Sequence, residues 1–125
     1  MEKTKANCLN PVVLAFVGDA VYSLFVRERL TFMSDGKAGE LNKLAVKEVK
    51  DSAQAEFITE LLPLLTEEET AVFKRARNAK KTTRAKNASV AEYNLSTGFE
   101  AVLGYLYLTG NEERLDFILN KGIIQ

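Results

Sequence analysis

Histidine is absent from this chain of 125 residues, and that absence excludes more chemistry than any motif present. No Ser-His-Asp triad, Cys-His pair or histidine acid–base couple can be assembled. Cysteine occurs once, as Cys8, so no internal disulfide forms, and an ordinary structural zinc site is ruled out as well. A lone thiol suits a reducing, cytoplasmic setting, and Cys8 reads as inert and close to a loose terminus. The N-terminus, Met-Glu-Lys-Thr-Lys-Ala-Asn-Cys, is polar and has no signal-peptide core. No membrane-spanning run is present: the apolar stretch Val12 to Val26 is shorter than the ~20 residues a bilayer needs, and Asp19 interrupts it. Strand alternation, internal repeats and low-complexity segments are all missing. What remains is an all-α domain over residues 1–125. Its 46% hydrophobic and 27% charged residues are those of an ordinary globular protein. If it is an enzyme, carboxylates, lysines, tyrosines or a hard metal carry the chemistry, and carboxylates with Mg²⁺ are the simplest choice.

Charge is balanced in total, with 17 basic and 17 acidic residues, but not in distribution. Lys74, Arg75, Arg77, Lys80, Lys81, Arg84 and Lys86 fall in one segment without an acid among them. A block of +7 points to a polyanion partner or to a solvated loop. Thr66-Glu67-Glu68-Glu69 is a capping-box pattern that starts a helix carrying Ala71, Val72 and Ala76 and turning basic at its end, the order a helix dipole favours. Lys80 to Asn87 lack that structural excuse. They read as an exposed loop whose interleaved basic and hydroxyl residues suit phosphate contacts.

Elsewhere the pattern is helical. Asn10 and Pro11 begin a helix, and Thr31 to Gly39 read as a loop. Leu41, Leu44, Ala45 and Val49, then Ala53, Phe57, Leu61 and Leu62, mark helices broken near Asp51-Ser52 and ended by Pro63. Ser89 with Glu92 caps a turn, Leu95 to Thr109 form an apolar helix closed by Gly110, and Glu112 to Asn120 pack Leu115, Ile118 and Leu119 inward.

Two of these helices are apolar on nearly every face, which predicts burial on nearly every face. Each holds one acid: Asp19, preceded by Gly18, and Glu100. A buried carboxylate costs several kcal/mol unless it is paired, neutralised or bound to a metal. An arginine or backbone donors would satisfy Asp19. If instead the helices cross near both acids, the pair makes a hard-oxygen site for Mg²⁺. Beside a basic loop, that is equipment for phosphodiester hydrolysis.

Phe16-Val17-Gly18-Asp19-Ala20-Val21-Tyr22 resembles the signature of the ribonuclease III family, and Phe99-Glu100-Ala101-Val102-Leu103-Gly104 resembles its second acidic motif. Arg77-Asn78-Ala79-Lys80 and the run from Thr97 to Leu108 resemble the Mini-ribonuclease III branch, which has a catalytic domain and no double-stranded RNA-binding domain. The resemblance covers about residues 10–110. It implies a homodimer with an RNA groove along the subunit interface and one Mg²⁺-dependent site per subunit, with Asp19 and Glu100 as the essential acids. It also implies cleavage of double-stranded or structured RNA to 5′-phosphate and 3′-hydroxyl ends, in maturing both ends of the 23S ribosomal RNA precursor. A ribosomal protein that presents the substrate is a further implied partner. The family's additional acids fall here on Ala15 and Thr97, so the motifs supply at most two protein carboxylates. In place of the missing binding domain, Lys74, Arg75, Arg77, Lys80, Lys81, Arg84 and Lys86 would read duplex shape through its backbone. The rival is a helical, dimeric RNA-binding protein without catalysis. Tyr22, one turn from Asp19, fits the core better than the site.

Overall fold

Asn10 begins the longest helix as its pattern predicts: its Oδ1 accepts from the Val12 N–H at 2.9 Å, and Pro11 occupies the first turn. A computed structural model of the chain describes residues 1–33, 36–52, 55–81 and 89–123. Among them every regular element is helical: α1 (Lys3–Asn7), α2 (Pro11–Met33), α3 (Ala38–Ser52), α4 (Ala55–Leu61) with a 3₁₀ turn at Leu62–Leu64, α5 (Glu67–Asn78), α6 (Val90–Leu108) and α7 (Glu112–Ile123). The expected Thr31–Gly39 loop is shorter, because α2 runs to Met33 and α3 starts at Ala38. The turn predicted after Ser89 is the first turn of α6 and not a separate element. Among the described residues no helix is long and apolar enough to cross a membrane.

α6 is the axis of the molecule. Thr97 to Phe99 and Ala101 to Leu106 are all buried, and α2, α4, α5 and α7 pack around them. Its ends are set by local chemistry. Ser89 Oγ accepts from the Glu92 N–H at 3.1 Å. At the other end Gly110 takes φ 75°, Gly110 N–H reaches the Tyr107 carbonyl and Asn111 N–H the Leu106 carbonyl, which together form a Schellman closure.

α2 lies on α6 at backbone contact. A Cβ on Gly104 would overlap the Leu14 carbonyl oxygen, and a Cβ on Gly18 would overlap the Glu100 carbonyl oxygen and come within 2.9 Å of Gly104 N. Leu14 meets Gly104 while Gly18 meets Glu100, so the two helices run in opposite senses through the contact. Tyr22 fills the layer beside it, buried edge-on to Phe99 with ring centroids 5.7 Å apart. Phe57 from α4 meets the same Phe99 ring at 5.6 Å.

The expectation that α2 is buried all round is corrected here. Val13, Phe16 and Leu24 are exposed along one face, Phe16 by 79%, and Phe32 and Met33 are exposed at its end. Residues 13, 16, 20 and 24 recur at helical spacing, so the exposed positions form a stripe that none of the described residues covers. On α3 and α4 the core positions are Ala45, Ile58 and Leu61, whereas Leu44 is exposed.

α5 carries the capping box anticipated at Thr66, with Glu69 N–H donating to Thr66 Oγ1 and Thr66 N–H donating to Glu69. Glu69 is itself buried and meets Arg114 of α7, with Nε at 2.9 Å from one carboxylate oxygen and Nη2 at 2.7 Å from the other. Burial pushes this carboxyl up, but the Arg114 and Thr66 hydrogen bonds outweigh it and hold the group below its ordinary value. The guanidinium also reaches the Leu64 carbonyl and lies 4.8 Å over the Phe117 ring.

Gly104→Ala tests the backbone contact. The added methyl has only backbone to displace, so α2 and α6 must separate, and urea unfolding should show a loss of about 3 kcal/mol. A variant as stable as the parent would mean that the helices are not held at this distance.

Candidate active site

The glycine contact determines where the two unusual acids fall. Gly18 sits against the backbone of Glu100, and Asp19 is the next residue on α2, so the helices cannot meet at this register without bringing the two carboxyls together. The Asp19 carboxyl lies close enough to Glu100 to act on it. Asp19 is exposed rather than buried, which corrects the expectation drawn from its apolar neighbours: it stands beside the uncovered Phe16 stripe. Glu100 is half-buried. Burial, together with the hydrogen bond and charge of Asp19, pushes its carboxyl up to about 9. At neutral pH Glu100 therefore keeps its proton when no cation is bound.

The donor set fits a hard divalent cation: two carboxyls from rigid helices, one at the surface and one behind it, whose mutual repulsion a cation would relieve. Among the described residues no group of three or more His, Cys, Asp or Glu comes together, in keeping with Ala15 and Thr97 at the positions of the family's other acids. Both of those side chains are buried, and Thr97 Oγ1 is turned onto the Tyr93 carbonyl at 2.9 Å.

The basic residues divide by location. Lys74 and Arg75 are exposed on α5, Arg77 is half-exposed, and Lys80 is exposed just beyond the helix. Arg75 holds Asn7 Oδ1 at 2.8 Å, and Arg77 Nε donates to Asn78 Oδ1 at 3.1 Å. Lys81 is turned inward. Its ammonium donates to the carbonyls of Ala76 (2.7 Å), Arg77 (2.9 Å) and Ala79 (2.8 Å), and burial pulls it below its ordinary lysine value. Arg84 and Lys86 lie outside the described residues. Sequence reasoning missed the inward turn of Lys81. It also missed Arg114 as partner to Glu69, since the two lie far apart in the chain.

Among the described residues the chain is a helical bundle whose glycine crossing sets an aspartate beside a glutamate, and comparison with known proteins makes that scaffold particular. Residues 12–111 match the family model described as Ribonuclease III domain. Mini-ribonuclease 3 of Clostridium tetani is 48% identical over 112 residues, which are 89% of this chain and 74% of that protein. Mini-ribonuclease 3 of Streptococcus pneumoniae is 46% identical, over 91% of each chain. A crystal structure of a Fusobacterium nucleatum protein superposes with a TM-score of 0.79 at 30% identity, over 90% of each chain. The chain belongs to the ribonuclease III family, in its Mini-ribonuclease III branch. Its activity is that of a ribonuclease III-type endoribonuclease.

The raised Glu100 carboxyl has a measurable consequence. Unfolded, the Glu100 carboxyl ionises near 4.5, and folded near 9, so between those values the folded state holds the extra proton. Without metal, stability therefore falls as pH rises through that window and levels off above it. Glu100→Gln removes the titration. Urea midpoints at pH 6 and pH 8 in a chelator should differ for the parent and coincide for the variant.

Proposed function

We propose that this protein is a Mg²⁺-dependent endoribonuclease acting on double-stranded or structured RNA, and that its substrate is the 23S ribosomal RNA precursor, trimmed at both its 5′ and 3′ ends. The observation that carries this reading is the Asp19–Glu100 pair, set side by side by a backbone contact between two rigid helices. Asp19 and Glu100 would hold the ion, which would acidify the attacking water and screen charge at the phosphorus. The rest falls to the chain's own groups. Glu100 would give up its proton to hold a cation, Asp19 stands at the surface, and the packed helices keep the backbone of both acids in place. Products would carry 5′-phosphate and 3′-hydroxyl ends.

Lys74, Arg75, Arg77 and Lys80, with Arg84 and Lys86, would contact phosphates and so recognise a duplex by shape and charge. The working unit is a homodimer of one catalytic domain, residues 1–125, in the cytoplasm, with a ribosomal protein presenting the precursor. The stripe of Val13, Phe16 and Leu24 supports the dimer, because an apolar face of this kind beside a charged site calls for a partner surface. A second copy laid on it would bring two Asp19 sites onto one continuous groove.

Two experiments test the reading. With Mg²⁺ and a long RNA duplex, the parent should cut to 5′-phosphate ends, and Asp19→Asn should slow cutting by roughly a thousandfold while still binding duplex. A variant that cuts normally would remove Asp19 from the chemistry. In sedimentation velocity the parent should run as a dimer and Phe16→Asp as a monomer with little cleavage. A dimeric Phe16→Asp protein would place the subunit contact elsewhere.

A further inference from the structure

Lys81 sits inside the most basic stretch of the chain, yet its ammonium is committed to the protein. Three carbonyls, from Ala76, Arg77 and Ala79, converge on one Nζ at 2.7, 2.9 and 2.8 Å. An ammonium has three donors, so this arrangement uses all of them. The carbonyls are among those a helix C-terminus leaves without intrahelical partners, and the charge is of the sign that the C-terminal dipole favours. Lys81 thus closes the last turn of α5 as Thr66 and Glu69 close its first.

That turn connects to the site on two sides. Arg77, whose carbonyl Lys81 holds, is half-exposed on the last turn of α5, and Lys80, next to Lys81, is exposed just beyond it. One turn back, Phe73 packs on Gly98 of α6 so closely that a Cβ there would come within 2.8 Å of its ring, and Gly98 lies two residues before Glu100. The end of α5 therefore bears both on the direction of the cationic side chains and on the seat of the α6 turn that carries Glu100.

We infer that Lys81 is a positioning residue for RNA cleavage and not a phosphate ligand: by capping the α5 C-terminus it fixes the cations of that turn relative to Asp19 and Glu100. The inference rests on the endoribonuclease reading above. It separates Lys81 from Lys80, which is exposed and free to meet phosphate. It also predicts that charge alone will not replace Lys81. A planar guanidinium forks toward two acceptors in its plane, whereas these three carbonyls surround a compact point donor.

The test uses the full chain with Lys81→Arg, Lys81→Met, Lys80→Arg and Lys80→Met beside the parent. Single-turnover cleavage of an RNA duplex at saturating enzyme is measured well below each melting temperature, and duplex binding is measured against salt in the Asp19→Asn background. Both Lys81 variants should remain folded and cut roughly tenfold more slowly than the parent. Lys80→Arg should keep the parent's slope of log affinity against log salt, and Lys80→Met should lower it by about 0.7 to 0.9. If Lys81→Arg matches the parent while Lys81→Met lowers the salt slope by the same step, Lys81 is itself a phosphate ligand and the inference fails. It fails equally if the Lys81 variants lower only the melting temperature and cut at the parent's rate. Should Lys81→Met not fold, Lys81→Arg decides alone. A parent protein that does not cut would count against the endoribonuclease reading, which is a different result from any of these.

Discussion

Two helices touch here through their backbones, and nearly everything functional in the molecule follows from that distance. Gly18 and Gly104 leave no side chain between α2 and α6, so the register is set by carbonyls and amides that have nowhere to move. Once that register is set, Asp19 has no choice of neighbour: the residue facing it is Glu100. The pairing of two acids is unfavourable in itself, and the closely packed helices hold it in place. Tyr22, Phe99 and Phe57 then fill the space around the contact with edge-on rings, which keeps the crossing angle from relaxing.

α5 serves a different purpose from the crossing pair. It is closed at both ends, by a capping box at Thr66 and Glu69 and by the Lys81 ammonium, and it carries a stable row of cations along an otherwise ordinary amphipathic helix. Acids at its start and bases at its end suit the dipole, so the distribution of charge that makes the segment attractive to a polyanion also stabilises the helix. Structure and recognition make the same demand on these residues, which is why the basic stretch can be dense without disrupting the fold.

Much of this was legible in the chain because local rules and global packing agree. Asp19 and Glu100 stood out as acids in apolar helices. Thr66 and Gly110 ended helices where their chemistry requires. The exposure of Phe16 was not legible, since an apolar stripe looks the same whether its own chain or another covers it. Periodicity likewise says that an acid in a first turn favours the dipole, but not that Glu69 is buried against an arginine from another helix. Lys81 was misleading for a related reason: composition counts charges, whereas only three-dimensional placement shows which of them point inward.

Glu69 has one more effect, on how the molecule comes apart. Its carboxylate belongs at once to the cap of α5 and to the grip on α7 through Arg114. A short helix that follows a glycine turn would ordinarily open by itself, before the rest of the protein. Here α7 cannot leave without breaking the start of α5, and α5 is seated on α6. The opening of α7 is thereby coupled to that of α5 through one carboxylate.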